Sequence, residues 1–259
     1  MSLPLTLELD QTLAIITFTN PARGNALDLA MARAFAGAIE QVAENPQVRA
    51  LLITAQGKQF CVGGDVNSMA DASRPLTDTL RELLEPVHAA MTVLKSFSFP
   101  VVCALNGAVG GGGIGLGLCG DLVLAASSMK LRGGYSAIGL TPDVGGSWFI
   151  TRRAGAARAK EIFLTNRPFS AEECLRIGLI DAVHPDDELH AAALKLAHQL
   201  ANGPAAAQAR IKSLIDHASH RTLEQQLEAE RDSMYASGES EDGKEGVRAF
   251  IEKRTPKFG

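Results

Sequence analysis

A chain of 259 residues, with the apolar content of an ordinary globular protein, suffices for one large domain with a buried core. Its net charge of −4 predicts no general affinity for nucleic acid or acidic membranes. Met1 to Glu8 lacks the basic region and apolar core of a signal peptide, and the four cysteines form no Cys-x-x-Cys pair; buried free thiols in a reducing cytoplasm are expected.

Leu5 to Asp10 and Leu13 to Thr19 read as a hairpin, followed by a loop through Asn25. Ala26 to Glu44 places Leu27, Met31, Phe35, Ile39 and Val42 at spacings of three and four, which predicts a helix. Val48 to Thr54 reads as a buried strand, 70–76 as a loose loop and Thr77 to Lys95 as a long helix. Ser96 to Gly120 is uncharged and long enough for a membrane span, but Pro100, Asn106 and a run of glycines argue against one. Leu122 to Ala126, Met129 to Arg132 and Leu179 to Val183 read as strands. A helix through Trp148 and Ile150 follows a glycine-rich loop, and Ser170-x-x-Glu173 opens another as a capping box. From Asp187 the period is helical throughout; Thr222-x-x-Gln225 caps one late helix and Ser240 to Arg254 forms the last.

Alternation of strands and helices up to about residue 185 predicts α/β architecture. The helical tail carries Leu214, Leu223, Leu227, Phe250 and Ile251, which suit packing on a neighbouring subunit. The expected division is a core over 1–199 and a helical oligomerisation region over 200–259.

The densest chemical signal is Pro100 to Asp121, where the apolar run Val101 to Leu105 is followed by Asn106-Gly107 and by glycines at 110, 111, 112, 113 and 115. Strand, glycine turn and helix start together aim free backbone N–H groups at one point, and glycine allows a ligand close approach. Close packing of helix on sheet is one reading. Dinucleotide binding is another, but Gly110-x-Gly112-x-x-Gly115 lacks the acidic residue expected about 20 positions on, and no Gly-Lys-Ser/Thr marks a P-loop. The third is an oxyanion hole for an acyl group, which needs a second N–H donor. Phe60-Cys61-Val62-Gly63-Gly64-Asp65 is a candidate, with an ordinary left-handed turn as the alternative. Asp143 stands in the otherwise uncharged stretch Gly133 to Phe149; it reads either as a desolvated general base or as the N-cap of the next helix. No spacing of His, Cys and Asp resembles a metal site.

Asn25-Ala26-Leu27, Phe60-x-x-Gly63-x-Asp65, Asn106-Gly107 with Gly112 and Leu116, Gly139-Leu-x-Pro142-x-x-Gly145-Gly146 and the ending Lys244 to Arg254 occur in this order. Together they resemble the crotonase, or enoyl-CoA hydratase/isomerase, superfamily over essentially the whole chain. The resemblance implies a spiral of ββα repeats with a helical C-terminal trimerisation region, usually paired into hexamers. It implies an acyl-CoA ligand whose thioester oxygen lies between the N–H groups of Gly64 and Gly112. The nucleotide end would lie near Arg23, Ala26, Leu27, Gly63, Gly64, Asp65, Val66 and Asn67, with Phe250 and Lys253 of a neighbour adding contacts. No cofactor is implied beyond the coenzyme A of the substrate, and neither a metal nor nucleic acid nor a membrane partner.

The family's hydratases use two glutamates, whose positions are Gly115 and Tyr135 here. Asp143 falls instead where branches resembling the phenylacetate-pathway isomerase and some Δ3,Δ2-enoyl-CoA isomerases keep their acid. The resemblance therefore implies a double-bond isomerase acting on a 3-enoyl or ring-derived CoA thioester, through one aspartate. Dehalogenases acting on 4-chlorobenzoyl-CoA also carry this aspartate, with a histidine at the position of His88 and a tryptophan where Tyr135 stands. That activity, hydration without the glutamates and acyl-CoA binding without turnover are the alternatives.

Overall fold

The computed structural model describes residues 3–70 and 73–259. Strands β1 (Leu5–Asp10) and β2 (Leu13–Phe18) form the expected hairpin, turning at Gln11 with φ +57°. Helix α1 (Leu29–Glu44) then crosses to β3 (Ala50–Ala55), which lies parallel to β2. The helix was expected from Ala26. Ala26 and Leu27 are held outside it by a bridge to Gly64, and the Asp28 carboxylate caps it by accepting the Met31 N–H at 2.9 Å.

Three ββα turns build the core. β3 is followed by β4 (Gln59–Cys61) and helices α2 (Val66–Met69) and α3 (Leu76–Lys95). Next come β5 (Val101–Leu105), β6 (Ala108–Gly110) and α4 (Gly113–Leu118). The third turn is β7 (Leu122–Ala126), β8 (Lys130–Arg132) and α5 (Gly146–Thr165), which breaks at Gly155 where φ is +81°. The first strand of each turn enters a six-stranded sheet of order β1-β2-β3-β5-β7-β10; the second enters a four-stranded sheet of order β4-β6-β8-β9. The chain thus spirals, and the uncharged run at 96–120 becomes strand, turn and short helix. Among the described residues no helix is long and apolar enough to cross a membrane.

β3 and β5 are buried on both faces, as expected of apolar runs in a parallel sheet. Leu51, Ile53, Val101 and Cys103 face the main core, while Ala50, Leu52, Val102 and Ala104 face α7 (Leu189–Ala201). Between them β9 (Phe169–Ser170) leads into α6 (Ala171–Arg176), whose Ser170/Glu173 capping box forms as predicted. The strand expected over Leu179 to Val183 is the shorter β10 (Ala182–His184), because the loop before it is held by the Leu179 N–H to the Cys174 carbonyl. All four cysteines are buried and free.

The tail comprises α8 (Ala205–His217), α9 (Leu223–Glu239) and α10 (Glu241–Glu252). Thr222 and Gln225 form the predicted capping box on α9. The tail joins the core through Lys212, whose Nζ lies 2.6 Å from Asp121 Oδ2. Neither α8 nor α9 contains a buried residue, and Ile215, Leu223, Met234, Val247, Phe250 and Ile251 stand exposed.

Candidate active site

β4, β6 and β8 run parallel in the small sheet, so the loops that leave their C-terminal ends share one side. Those loops carry Gly63-Gly64, Gly111-Gly112 and Tyr135 to Asp143. The three signals, spread over residues 63–143 of the sequence, are brought to one side by strand direction. Ligands of parallel sheets bind outside such strand ends for the same reason.

The first loop is fixed by Leu27. Its N–H donates to the Gly63 carbonyl at 2.8 Å, and its carbonyl accepts from the Asp65 N–H at 3.2 Å. In such a parallel bridge residues 63 and 65 make the bonds, so the N–H of Gly64 points away from Leu27. Among the described residues it has no acceptor. Asn25 sets the register of this arrangement. It is fully buried, its Nδ2 donates to the carbonyls of Gln56 and Gln59 at 3.0 and 2.8 Å, and its Oδ1 accepts from the Asn20 N–H at 2.9 Å.

The second loop lies directly on the first. A Cβ placed on Gly63, where φ is +99°, would stand 2.8 Å from the Gly110 carbonyl oxygen; one on Gly111 would stand 3.4 Å from Gly63 Cα and 4.0 Å from Gly64 N. Only glycine permits this approach. The Gly112 N–H, preceding α4, has no acceptor among the described residues either. Two free N–H groups thus sit on touching loops.

The third loop supplies the acid. Asp143 Oδ1 accepts a hydrogen bond from the Tyr135 hydroxyl, whose oxygen accepts from the Asp143 N–H at 3.3 Å. A Cβ on Gly112 would lie 3.1 Å from Asp143 Oδ1, so the carboxylate stands beside the second N–H donor. Burial pushes the Asp143 pKa up, and the Tyr135 hydrogen bond opposes that shift. Tyr135 is raised by its own burial and then by the Asp143 charge, so the shared proton stays on the phenol. Cys61, beneath the same loops, is pushed up to about 12 by burial and is an inert thiol here.

The capping alternative for Asp143 is corrected by this geometry. The N-cap of α5 is Gly145, and no side chain caps it; only the Asp143 carbonyl takes part, accepting from the Gly146 N–H at 2.8 Å. His88, on α3, accepts the Val144 N–H on Nε2 at 3.2 Å. That nitrogen is therefore occupied by backbone rather than free to activate water. The vacancy of glutamate at 115 is also structural: a Cβ there would lie 1.9 Å from the Val144 carbonyl oxygen.

Arg23 is half-exposed and forms ion pairs with Asp65 at 2.5 Å and Asp28 at 3.3 Å. Asp65 is thereby a brace for the first loop, and it caps α2 by accepting the Asn67 N–H at 3.3 Å. Ala26 and Leu27 are buried, while Val66 and Asn67 are exposed on α2. Phe250 is 86% exposed and Lys253 ends α10 in a left-handed turn; the packing of α10 is against α9, not against these loops. Residues 71 and 72 of the segment Met69 to Thr79, which was expected to line the acyl pocket, lie outside the described residues. A cavity of about 740 Å³ is lined by His88, Met91, Gly145, Trp148, Phe149 and Arg152 among others. Its lining does not include Gly64, Gly112 or Asp143. Among the described residues no group of three or more His, Cys, Asp and Glu could hold a metal ion.

The Tyr135–Asp143 contact carries no periodic signal; only the family position of Tyr135 singles it out. The His88–Val144 contact spans 56 positions and arises from the packing of α3.

A family model for enoyl-CoA hydratase/isomerase matches residues 8–259. The chain belongs to this family. Relatives in the enoyl-CoA hydratase/isomerase family include the 1,2-epoxyphenylacetyl-CoA isomerase of Escherichia coli K12, 37% identical over 94% of this chain and 93% of that one. A Rhodobacter capsulatus protein named as a probable enoyl-CoA hydratase is 38% identical over 97% of this chain and 96% of that one. The crystal structure of an enoyl-CoA hydratase from Polaromonas sp. JS666 superposes with a TM-score of 0.90 at 33% identity, covering 98% of this chain and 99% of the other. The spiral fold is thus the family's, and the chain is an enzyme of a family whose members carry both isomerase and hydratase names.

Proposed function

We propose that this enzyme moves a carbon–carbon double bond in an acyl-CoA thioester, from the 3 to the 2 position of an enoyl chain or within a ring-derived acyl group. One observation carries the reading: a single carboxylate, Asp143, stands beside the Gly112 N–H, while Val144 fills the space that a second carboxylate at residue 115 would need.

The thioester oxygen accepts from the N–H groups of Gly64 and Gly112. Asp143 takes a proton from C2, whose acidity the carbonyl and the adjacent double bond raise. The electron pair spreads over C2 to C4 and onto the thioester oxygen, where the two N–H donors hold it. Loss of one such donor costs about 3–4 kcal/mol of barrier lowering. Asp143 then returns its proton at C4, giving the conjugated 2-enoyl product. A pKa raised by burial suits a group that must accept and release the same proton. The chemistry calls for no metal or redox cofactor.

The name of the Escherichia coli relative supports the ring-derived form of this reading. Hydration by two glutamates is opposed by Gly115 and Tyr135, and dehalogenation by the occupied Nε2 of His88. The nucleotide end of coenzyme A is assigned to the face made by Arg23, Ala26, Leu27 and residues 63–67. The tail at 200–259 is assigned to assembly into a homotrimer or hexamer, which would cover the exposed apolar side chains of α8 to α10 and bring Phe250 and Lys253 toward a neighbour's ligand.

Asp143→Asn tests the reading. On 3-hexenoyl-CoA, the wild type is expected to produce conjugated 2-enoyl absorbance, and the variant to lose it while retaining coenzyme A binding. Equal turnover in both would assign the wrong base. Binding without turnover in either, with halide release from 4-chlorobenzoyl-CoA, would install the dehalogenase instead.

A further inference from the structure

We infer that His88 is a positioning residue whose Nε2, by accepting the Val144 N–H, locks the Asp143–Val144 peptide into its catalytic conformation. This inference rests on the isomerase reading for its kinetic effect but not for its structural one.

Val144 is β-branched, fully buried and left-handed, with φ +49°. Such a residue is strained in that conformation, so the surroundings must over-determine it. Three contacts do so. Its side chain packs in the main core. Its carbonyl oxygen lies against Gly115 Cα, in space open only because residue 115 has no side chain. Its N–H has one acceptor among the described residues, Nε2 of His88 at 3.2 Å. If that acceptor is removed, a buried N–H loses its partner, and the strain at Val144 is no longer opposed on that side.

Asp143 is the adjacent residue, and among the described residues the one side chain that hydrogen-bonds its carboxylate is Tyr135. Relaxation of Val144 toward an ordinary φ rotates the peptide that carries Asp143 and draws the carboxylate away from Gly112. His88 sits on the outer helix α3 and is exposed, so its replacement leaves no cavity in the apolar core. The imidazole that an aromatic dehalogenase would use on water is spent here on backbone geometry.

Two substitutions separate the acceptor from the ring. His88→Leu removes the acceptor at similar size, and His88→Gln offers an amide oxygen where Nε2 stood. Turnover of 3-hexenoyl-CoA and amide hydrogen exchange of the peptide spanning residues 141–147 are measured for both. For His88→Leu, kcat is expected to fall about 10- to 100-fold with KM near that of the wild type, since a misplacement of about 1 Å costs on that order. The Val144 amide should lose protection. His88→Gln should restore both kcat, to within about threefold, and protection. Unchanged kcat and protection in His88→Leu would overturn the proposal, as would a loss in His88→Gln as deep as in His88→Leu, because the ring's own acid–base chemistry would then be the requirement. If Asp143→Asn remains active, the isomerase reading fails on its own, and the exchange data still decide the role of His88.

Discussion

Gly115→Ala tests the most specific packing claim. The added Cβ would lie 1.9 Å from the Val144 carbonyl oxygen and 2.7 Å from its carbon, where real Cβ atoms essentially never approach within 3.0 Å. Neither neighbour is the end of a flexible side chain, so backbone must move by more than 1 Å. The Val144 peptide is tied at its N–H by His88 and α4 is buried throughout, so the shift falls on the Asp143 loop. Overpacking of this kind costs about 1–3 kcal/mol of stability. A carboxylate displaced by about 1 Å from its proton costs about 100-fold in rate. The expected result on 3-hexenoyl-CoA is a kcat lower by about two orders of magnitude, with a thermal melt lowered by several degrees and KM little altered. A kcat within about threefold of the wild type would refute the argument that Val144 and Gly115 together set the position of Asp143.

Tyr135→Phe removes the hydrogen bond that holds the Asp143 pKa down against burial, so the acid limb of the kcat/KM profile should move to higher pH; an unmoved limb would mean that Tyr135 does not touch the working carboxylate. Asp143→Asn should raise the melting temperature at pH 7. Burial raises the folded-state pKa above that of the unfolded chain, so the ionised carboxylate destabilises the fold above the unfolded pKa, and the neutral amide escapes this. The difference should fade as pH drops below that of an ordinary aspartate, where both side chains are neutral; a lower melting temperature at pH 7 would contradict the assignment.

Much of this was legible in the sequence, because the relevant physics is local. Apolar runs of five or six residues with no charge and bounded by turn signals suit buried strands, and Val101–Leu105 and Leu122–Ala126 lie where they were expected. Ser170-x-x-Glu173 and Thr222-x-x-Gln225 close their capping boxes because both partners are three residues apart on one turn. The glycine clusters pointed to free N–H groups, since no other residue tolerates such backbone contact. The α/β class followed from alternation alone.

Tertiary structure decided the rest. The start of α1 depended on Leu27 being taken by Gly63 and Asp65, some forty residues away. Arg23, which the resemblance placed near the nucleotide end of the ligand, is paired with Asp65 and Asp28. Asp143 read as a cap at least as readily as a base until the helix opened at Gly145 without it and Tyr135 bound its carboxylate. His88 met Val144 only because α3 packs beside that loop. Local propensity acts through neighbours on the chain, and the sequence by itself therefore singled out the glycine loops whose backbone N–H groups stand free. Which carboxylate stands beside them, and which histidine meets that carboxylate's loop, depended on contacts between turns of the spiral, and these exist only when the sheets have formed.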